Sequence, residues 1–165
     1  IGHRAAYFSV TQNSLWVLEI LSEEGILYDS SIHPVINYRY GIPNANRLPS
    51  YISLKNQSQL LEIPVSTLPL PRLNFPLGGG AYFRILPYWV LKKCYKYLEL
   101  RGEEIRLYMH PWEMDPDHPK IPLRFRVSAT HYFNLKSTKV KLASLFQDFA
   151  FASYKQVYQE LINPK

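Results

Sequence analysis

Short apolar segments alternate with amphipathic helical segments along this chain, and this alternation restricts the folds that the sequence can adopt. The pattern predicts strands at Arg4–Val10, Ile26–Ile32, Leu60–Leu68 and Ile105–Met109, and helices at about 12–24, 86–100 and 138–149. Residues 33–58 and 114–122 follow neither period and are predicted to be loops. The predicted order is strand, helix, strand, loop, strand, helix, strand and helix. This order is typical of a (β/α) barrel or an open parallel sheet.

The composition is that of one packed domain covering residues 1–165. Hydrophobic residues make up 47% of the chain and charged residues 19%. No uninterrupted apolar run reaches about 18 residues, and the N-terminal region lacks a signal-peptide pattern, so neither a membrane span nor an export signal is predicted. Cys94 is the single cysteine, which excludes an intramolecular disulfide and a cysteine-based zinc cluster.

The net charge of +6 and the pI near 9.4 raise the alternative of nucleic-acid binding. The lysines, however, are spread along two predicted helices, and the sequence contains no arginine-rich run or RNA-binding aromatic motif. Solvated helix faces account better for the charge. We therefore expect no nucleic-acid partner.

Three residues at strand ends or starts are candidates for chemistry. His110 ends a predicted strand and precedes Pro-Trp-Glu, where an imidazole can act as an acid or base near neutral pH. Arg4 can hold a carboxylate through two hydrogen bonds, and Asp29 can tune the protonation of His110. The structural alternatives are that His110 is a hydrogen-bonded histidine of the core, that Arg4 forms a surface ion pair, and that Asp29 caps a turn.

The histidines lack the spacing of a metal site, and no such site is predicted within this chain. His3, His33, His118 and His131 show no HExxH or similar pattern. Aromatic residues near the predicted loop mouths suit stacking against sugar rings as well as core packing; they are Tyr38, Tyr40, Tyr82, Trp112 and Tyr132.

Five segments, in order, resemble one family of enzymes. They are Gly-His-Arg-Ala-Ala-Tyr-Phe-Ser-Val-Thr (2–11), Leu-Tyr-Asp-Ser-Ser-Ile (27–32), Tyr-Gly-Ile-Pro (40–43), Gly-Gly-Gly-Ala-Tyr-Phe-Arg (78–84) and Met-His-Pro-Trp-Glu (109–113). Together they resemble the NodB-like polysaccharide deacetylases of exopolysaccharide loci, in the branch that carries a C-terminal extension.

The resemblance implies a fold and a division of the chain. The fold is α/β, a partial deformed (β/α) barrel that lacks its N-terminal strands. Residues 1–113 would form the barrel portion and residues 114–165 the C-terminal extension. The chain would then be the C-terminal portion of the enzyme, and a cytoplasmic location is favoured.

The resemblance also implies an activity, the removal of N-acetyl groups from sugars in a polysaccharide or its lipid-linked precursor. His110 would be the catalytic acid, Arg4 the orienting arginine and Asp29 the aspartate of the family's fourth motif. Tyr82 and Trp112 would bind substrate. The full-length family uses a divalent metal such as zinc, whose ligands belong to earlier motifs that this chain lacks.

The chain alone is therefore expected to be inactive, and its open barrel edges would need the missing N-terminal half or self-association to cover them. The alternative is a non-catalytic module that binds a polysaccharide or a partner through its aromatic loops.

Overall fold

A computed structural model of the chain describes residues 1–37 and 39–163, so Tyr38 lies outside the described residues. The strands are β1 (Gly2–His3), β2 (Tyr28–Asp29), β3 (Ser50–Ser53), β4 (Gln59–Glu62), β5 (Thr67–Leu70) and β6 (Leu73–Pro76). The helices are α1 (Val17–Glu23), α2 (Gly80–Ile85), α3 (Tyr88–Leu100), α4 (Phe125–Tyr132), α5 (Lys136–Asp148), α6 (Tyr154–Val157) and α7 (Gln159–Ile162). None of these helices is long and apolar enough to span a membrane.

The structure is a mixed α/β arrangement that divides into two compact units. The first unit comprises residues 1–75 together with the segment from Ala152 onward, and the second comprises Pro76–Phe151. The predicted boundary at residue 113 lies inside the second unit. The partial (β/α) barrel stays a prediction.

The first unit is built on a four-stranded sheet in the order β1-β2-β4-β3. Strands β1, β2 and β4 are parallel, and β3 runs antiparallel to β4 at the edge. In this register His3 pairs with Asp29, and Asp29 pairs with Glu62. The three residues therefore form a row across the C-terminal ends of the parallel strands.

Successive residues of β4 pack into two different clusters, as the two-residue period of a strand requires. Leu60 belongs to a cluster with Leu18 of α1, whereas Leu61 packs with Tyr158 and Ile162 from the C-terminal segment. Both leucines are almost completely buried. Strand β4 is thus covered on both faces, which is typical of a parallel sheet.

Two predictions for the N-terminal half are wrong in detail. The strand expected at Arg4–Val10 is replaced by the shorter β1 and a 3-10 turn at Ala6–Phe8. Tyr7 and Phe8 have φ values of 57° and 53°, which an extended strand cannot contain. The loop expected at 33–58 contains the edge strand β3, whose Ser-Tyr-Ile-Ser sequence has too little apolar character to predict it.

The helix predicted at 12–24 is confirmed in part. A 3-10 turn at Gln12–Ser14 leads into α1, which ends before Gly25. Gly25 has a φ of 74°, the left-handed conformation expected after a helix end.

The strand predicted at Ile105–Met109 is reduced to one parallel bridge between Gly79 and Tyr108. A Cβ atom on Gly79 would lie 2.0 Å from the carbonyl oxygen of Tyr108, and the φ of Gly79 is 140°. Glycine is therefore required for this close approach. The bridge fixes the chain two residues before His110.

Helix α3 in the second unit buries Leu91, Tyr95 and Leu98. Cys94, one residue before Tyr95, is only half-buried. Tyr95 takes the buried position because its hydroxyl donates a 2.9 Å hydrogen bond to the carbonyl of Leu77. Helix α4 was not predicted.

Candidate functional site

The clearest cluster of titratable groups is the row His3, Asp29 and Glu62 at the ends of β1, β2 and β4. Polar side chains at the C-terminal ends of parallel strands lie at the edge where α/β proteins usually place their binding sites. Asp29 is completely buried and Glu62 is 3% exposed, whereas about a third of the His3 side chain is accessible. The row connects the protein interior to solvent through the imidazole.

His3 and Ser31 together make three hydrogen bonds to Asp29. Its Oδ2 accepts from the backbone N–H of Ser31 at 3.0 Å, and its Oδ1 accepts from the Ser31 hydroxyl at 2.8 Å. The same Oδ1 lies 2.7 Å from Nδ1 of His3. A carboxylate accepts hydrogen bonds, so Nδ1 carries the proton and Nε2 is the nitrogen available for proton exchange.

Glu62 is buried beside Asp29 and keeps its proton at neutral pH. Burial first, and then the charge of Asp29 and a hydrogen bond to it, raise the pKa of Glu62 from 4.5 to about 9. Its Oε1 accepts from the backbone N–H of Ile32 at 3.0 Å. Two adjacent buried carboxyl groups therefore share one negative charge, because ionising both would place two like charges together away from water.

Arg4 directly follows β1 and binds Ser30, the residue that directly follows β2. Its Nε donates to the carbonyl of Ser30 at 3.1 Å, and one terminal nitrogen donates to the hydroxyls of Ser30 at 2.8 Å and Tyr154 at 3.1 Å. Ser30 in turn donates to the carbonyl of Ile63 at 2.5 Å. Arg4 thus anchors the strand ends to the C-terminal segment.

His33 is a second buried histidine near this edge. It is 1% exposed, and neither ring nitrogen has a hydrogen-bond partner among the described residues. The ring stacks on Tyr40 with 5.7 Å between centroids and lies 4.9 Å from the ring of Phe8. Burial, together with the charge of Arg4, lowers the pKa of His33 to about 4, so the imidazole is neutral.

The sequence pointed to Arg4 and Asp29 but missed Glu62 and the pairing of His3. A lone glutamate in the apolar segment Leu60–Val65 was the available signal for Glu62. His3 could not be found from its spacing, because its partner lies on another strand 26 residues away.

In the second unit, His110 precedes a 3-10 turn at Pro111–Met114. Its backbone N–H donates to Oε2 of Glu113 at 2.9 Å, and the other oxygen of Glu113 accepts from Nε of Arg84 at 2.9 Å. Both Arg84 and Glu113 are almost fully buried. This ion pair fixes the backbone from which the His110 ring projects.

Arg84 also organises the surroundings of Trp112. Its guanidinium donates to the backbone carbonyls of Thr130, His131 and Phe133. It lies 5.4 Å from the centre of the Trp112 ring. The indole itself stacks on the His110 ring at 5.5 Å and on the His131 ring at 3.9 Å.

The predicted site residues are thus divided between the units. Arg4 and Asp29 lie in the first unit, and His110, Trp112 and the half-buried Tyr82 of α2 lie in the second. Across residues 1–37 and 39–163, no group of three or more histidine, cysteine, aspartate or glutamate side chains gathers in a way that could hold a metal ion. The described residues therefore supply no ligand set for the divalent metal that the resemblance implies for the full-length family.

Comparison with curated proteins finds no match, and neither does comparison with solved structures. Comparison with protein families matches residues 30–159, which is more than half of the chain. The chain therefore belongs to the family described as a domain of unknown function, DUF3473.

Proposed function

We propose that this chain forms part of a metal-dependent polysaccharide deacetylase and contributes groups that move protons at its active site. The observation that carries the proposal is the row His3, Asp29 and Glu62 at the ends of three parallel strands. A buried carboxylate that orients a partly exposed imidazole is the arrangement that general acid–base catalysis uses.

Hydrolysis of an N-acetyl group requires water to attack the acetamide carbonyl and a proton to reach the departing amine. Asp29 holds the Nδ1 proton of His3, so Nε2 can accept the proton that the attacking water releases. Protonated Glu62 supports this role, because it keeps one negative charge on the pair.

The proposed roles of the other residues follow the family resemblance. His110 would protonate the amine, Arg4 would orient the strand end next to Asp29, and Tyr82 and Trp112 would contact the sugar. The divalent metal of the family would have to be held by residues other than those described here. The substrate class is an N-acetylated sugar within a polymer or a lipid-linked precursor.

Acetate release from an N-acetylglucosamine oligomer tests the proposal. The assay compares this chain with the same chain extended upstream in its reading frame, each with added zinc, cobalt or nickel. We expect activity in the extended form alone. Absence of acetate from both forms would contradict the deacetylase proposal and favour the module that binds a polysaccharide or a partner through the aromatic segments 33–58 and 114–134.

A substitution at Asp29 tests whether the row takes part. Asp29→Asn in the active form should shift one limb of the pH profile, because the imidazole of His3 loses its anionic partner. Asp117→Asn is the matched control, since Asp117 lies on an exposed loop. An unchanged pH profile in Asp29→Asn would make Asp29 a structural turn residue.

A further inference from the structure

Two histidines that are 13 residues apart in the sequence come together in the second unit. His118 lies in the loop before α4, and His131 lies in the last turn of α4. Their Nε2 atoms are 3.3 Å apart. Both side chains are partly exposed, so solvent and ions can reach the pair.

The distance between these nitrogens matches the geometry of a shared metal ion. Two imidazole nitrogens bound at about 2.0–2.1 Å to a tetrahedral zinc ion lie about 3.3–3.4 Å from each other. The same distance is at the long end for a hydrogen bond between nitrogens. The pair is therefore spaced for a cation at least as well as for a direct hydrogen bond.

The tautomer of the His118 ring is set by its hydrogen bond to the backbone. Its Nδ1 lies 2.6 Å from the carbonyl oxygen of Asp115, which can only accept a hydrogen bond. Nδ1 therefore carries the proton, and the lone pair is on Nε2, which faces His131. A hydrogen bond from Nδ1 to a carbonyl is the outer-shell contact that orients histidine ligands in metal sites.

Aromatic neighbours hold both rings in place. Trp112 stacks on His131 with 3.9 Å between centroids, and Tyr132 stacks on His118 at 5.4 Å. The hydroxyl of Tyr132 accepts a hydrogen bond from the backbone N–H of Ile121. A ligand pair that is already oriented loses little conformational entropy when an ion binds.

The charge around the pair does not forbid a cation. Arg84 is the nearby positive group, but its charge is balanced by the buried ion pair with Glu113. The loop that carries His118 also carries the exposed carboxylates of Asp115 and Asp117 and the exposed ammonium group of Lys120, so the formal charge of residues 115–120 is −1. These carboxylates favour accumulation of a divalent cation at this loop.

We propose that His118 and His131 bind a divalent transition-metal ion, of the class that includes Zn²⁺ and Cu²⁺, through their Nε2 atoms. Water fills the remaining coordination positions. Binding requires His131 to place its proton on Nδ1, so the neutral ring changes tautomer without a net loss of protons. Imidazole ligands select this class of ion over Mg²⁺ and Ca²⁺.

Copper titration of the full chain tests the proposal by two readouts. Electron paramagnetic resonance should show one Cu²⁺ with nitrogen ligands, and the emission of Trp112 should fall because the indole stacks on a ligand ring. Trp112→Phe should remove that fluorescence change and keep the resonance signal. Mg²⁺ at the same concentration should give no response.

Three histidine variants complete the test. His118→Gln and His131→Gln should each weaken Cu²⁺ affinity at least about tenfold, because even lost outer-shell contacts cost that much. His3→Gln is the background for every titration, because a free Ile1-Gly2-His3 terminus offers Cu²⁺ an amine, amide nitrogens and an imidazole. In this background the nitrogen-ligated signal of the pair should persist. Circular dichroism confirms that each variant folds, and His118 lies in a loop where substitution leaves the helices intact.

Binding that is weaker than about 1 mM, or that is equal in all variants, would overturn the proposal. The readout is ion binding rather than acetate release. A negative result would therefore leave the deacetylase proposal unaffected.

Discussion

Glu62 and His33 are buried titratable residues whose pKa values move in opposite senses. Glu62 titrates near 9 instead of 4.5, and His33 near 4 instead of 6.5. Both therefore remain uncharged in the folded protein at neutral pH. Each residue makes the free energy of unfolding depend on pH. The contribution of Glu62 falls as the pH rises, and the contribution of His33 falls as the pH decreases.

For Glu62, the folded state binds the proton more tightly than the unfolded state. Its stabilising contribution is complete below about pH 4.5 and is lost as the pH rises through about 9, by at most about 1.4 kcal/mol per pH unit. Glu62→Gln mimics the protonated acid and should remove this slope. Urea unfolding at several pH values between 5 and 9 measures it, with exposed Glu24→Gln as the control. An unchanged slope in Glu62→Gln would contradict the assignment.

For His33, the unfolded state binds the proton more tightly. Its contribution is complete above about pH 6.5 and is lost as the pH falls through about 4. His33→Phe should keep the ring packing with Phe8 and Tyr40 and remove two buried nitrogens that lack partners among the described residues. We expect a gain of about 1–2 kcal/mol at pH 8 and a larger gain at pH 5. Reduced stability at both pH values would mean that the imidazole contributes favourable interactions.

The position of Asp29 at a strand end could be predicted from the sequence, because that strand carries its own signal. Asp29 stands out because Ser30 and Ser31 follow it at a strand end, and the structure buries it there. Its contacts with His3 and Glu62 depend on the register of three strands, which a single sequence does not encode locally.

At the scale of elements, α2 is a short helix whose last carbonyls are bound by a side chain from α5. Nζ of Lys141 donates to the carbonyl oxygens of Phe83, Arg84 and Leu86 at 3.2, 2.7 and 2.7 Å. The carbonyls of Phe83 and Arg84 belong to the last turn, where helix carbonyls lack an intrahelical partner, and Nδ2 of Asn134 also donates to the carbonyl of Arg84 at 2.9 Å. The ammonium group adds hydrogen bonds to these carbonyls and neutralises the negative helix end. Burial, together with the charge of Arg84, lowers the pKa of Lys141.

Lys141→Gln should therefore destabilise the protein by about 1.5–3 kcal/mol, the usual range for hydrogen bonds made by a charged group. Lys139→Gln is the matched control, because Lys139 lies on the same helix and is exposed. Urea unfolding of the two variants measures the difference. Equal stability of the two variants would show that the carbonyls are satisfied without the ammonium group.

Helices were predicted more successfully than strands, and the lengths of the elements explain why. Helices α3 and α5 span 13 residues each, so the helical period repeats several times. Strands β1 and β2 contain two residues each, and the bridge at Tyr108 pairs one residue. Elements this short carry no period, and tertiary contacts decide where they form.

At the scale of the whole molecule, the residues proposed for catalysis come from both units. Asp29 is fixed by a strand end in the first unit, and His110 by the Arg84–Glu113 ion pair in the second. The five motifs that carry the family resemblance are likewise spread over residues 2–113. The proposed activity therefore depends on the folding of both units, whereas ion binding at His118 and His131 involves the second unit alone.

His110→Ala in a catalytically active, upstream-extended form gives the test at this scale. Loss of a general acid should lower turnover by about 10²–10⁴-fold and leave the metal content unchanged, because His110 is proposed to protonate the amine rather than to bind the metal. Turnover by acetate release and metal content by atomic emission are measured on the same samples. Lys139→Gln is the control, since Lys139 is exposed on α5 and lies outside both the proposed catalytic residues and the proposed ion pair. Loss of the catalytic metal in His110→Ala would show that His110 is a ligand. Unchanged turnover would show that another group protonates the amine, and His3 is the first candidate for that group.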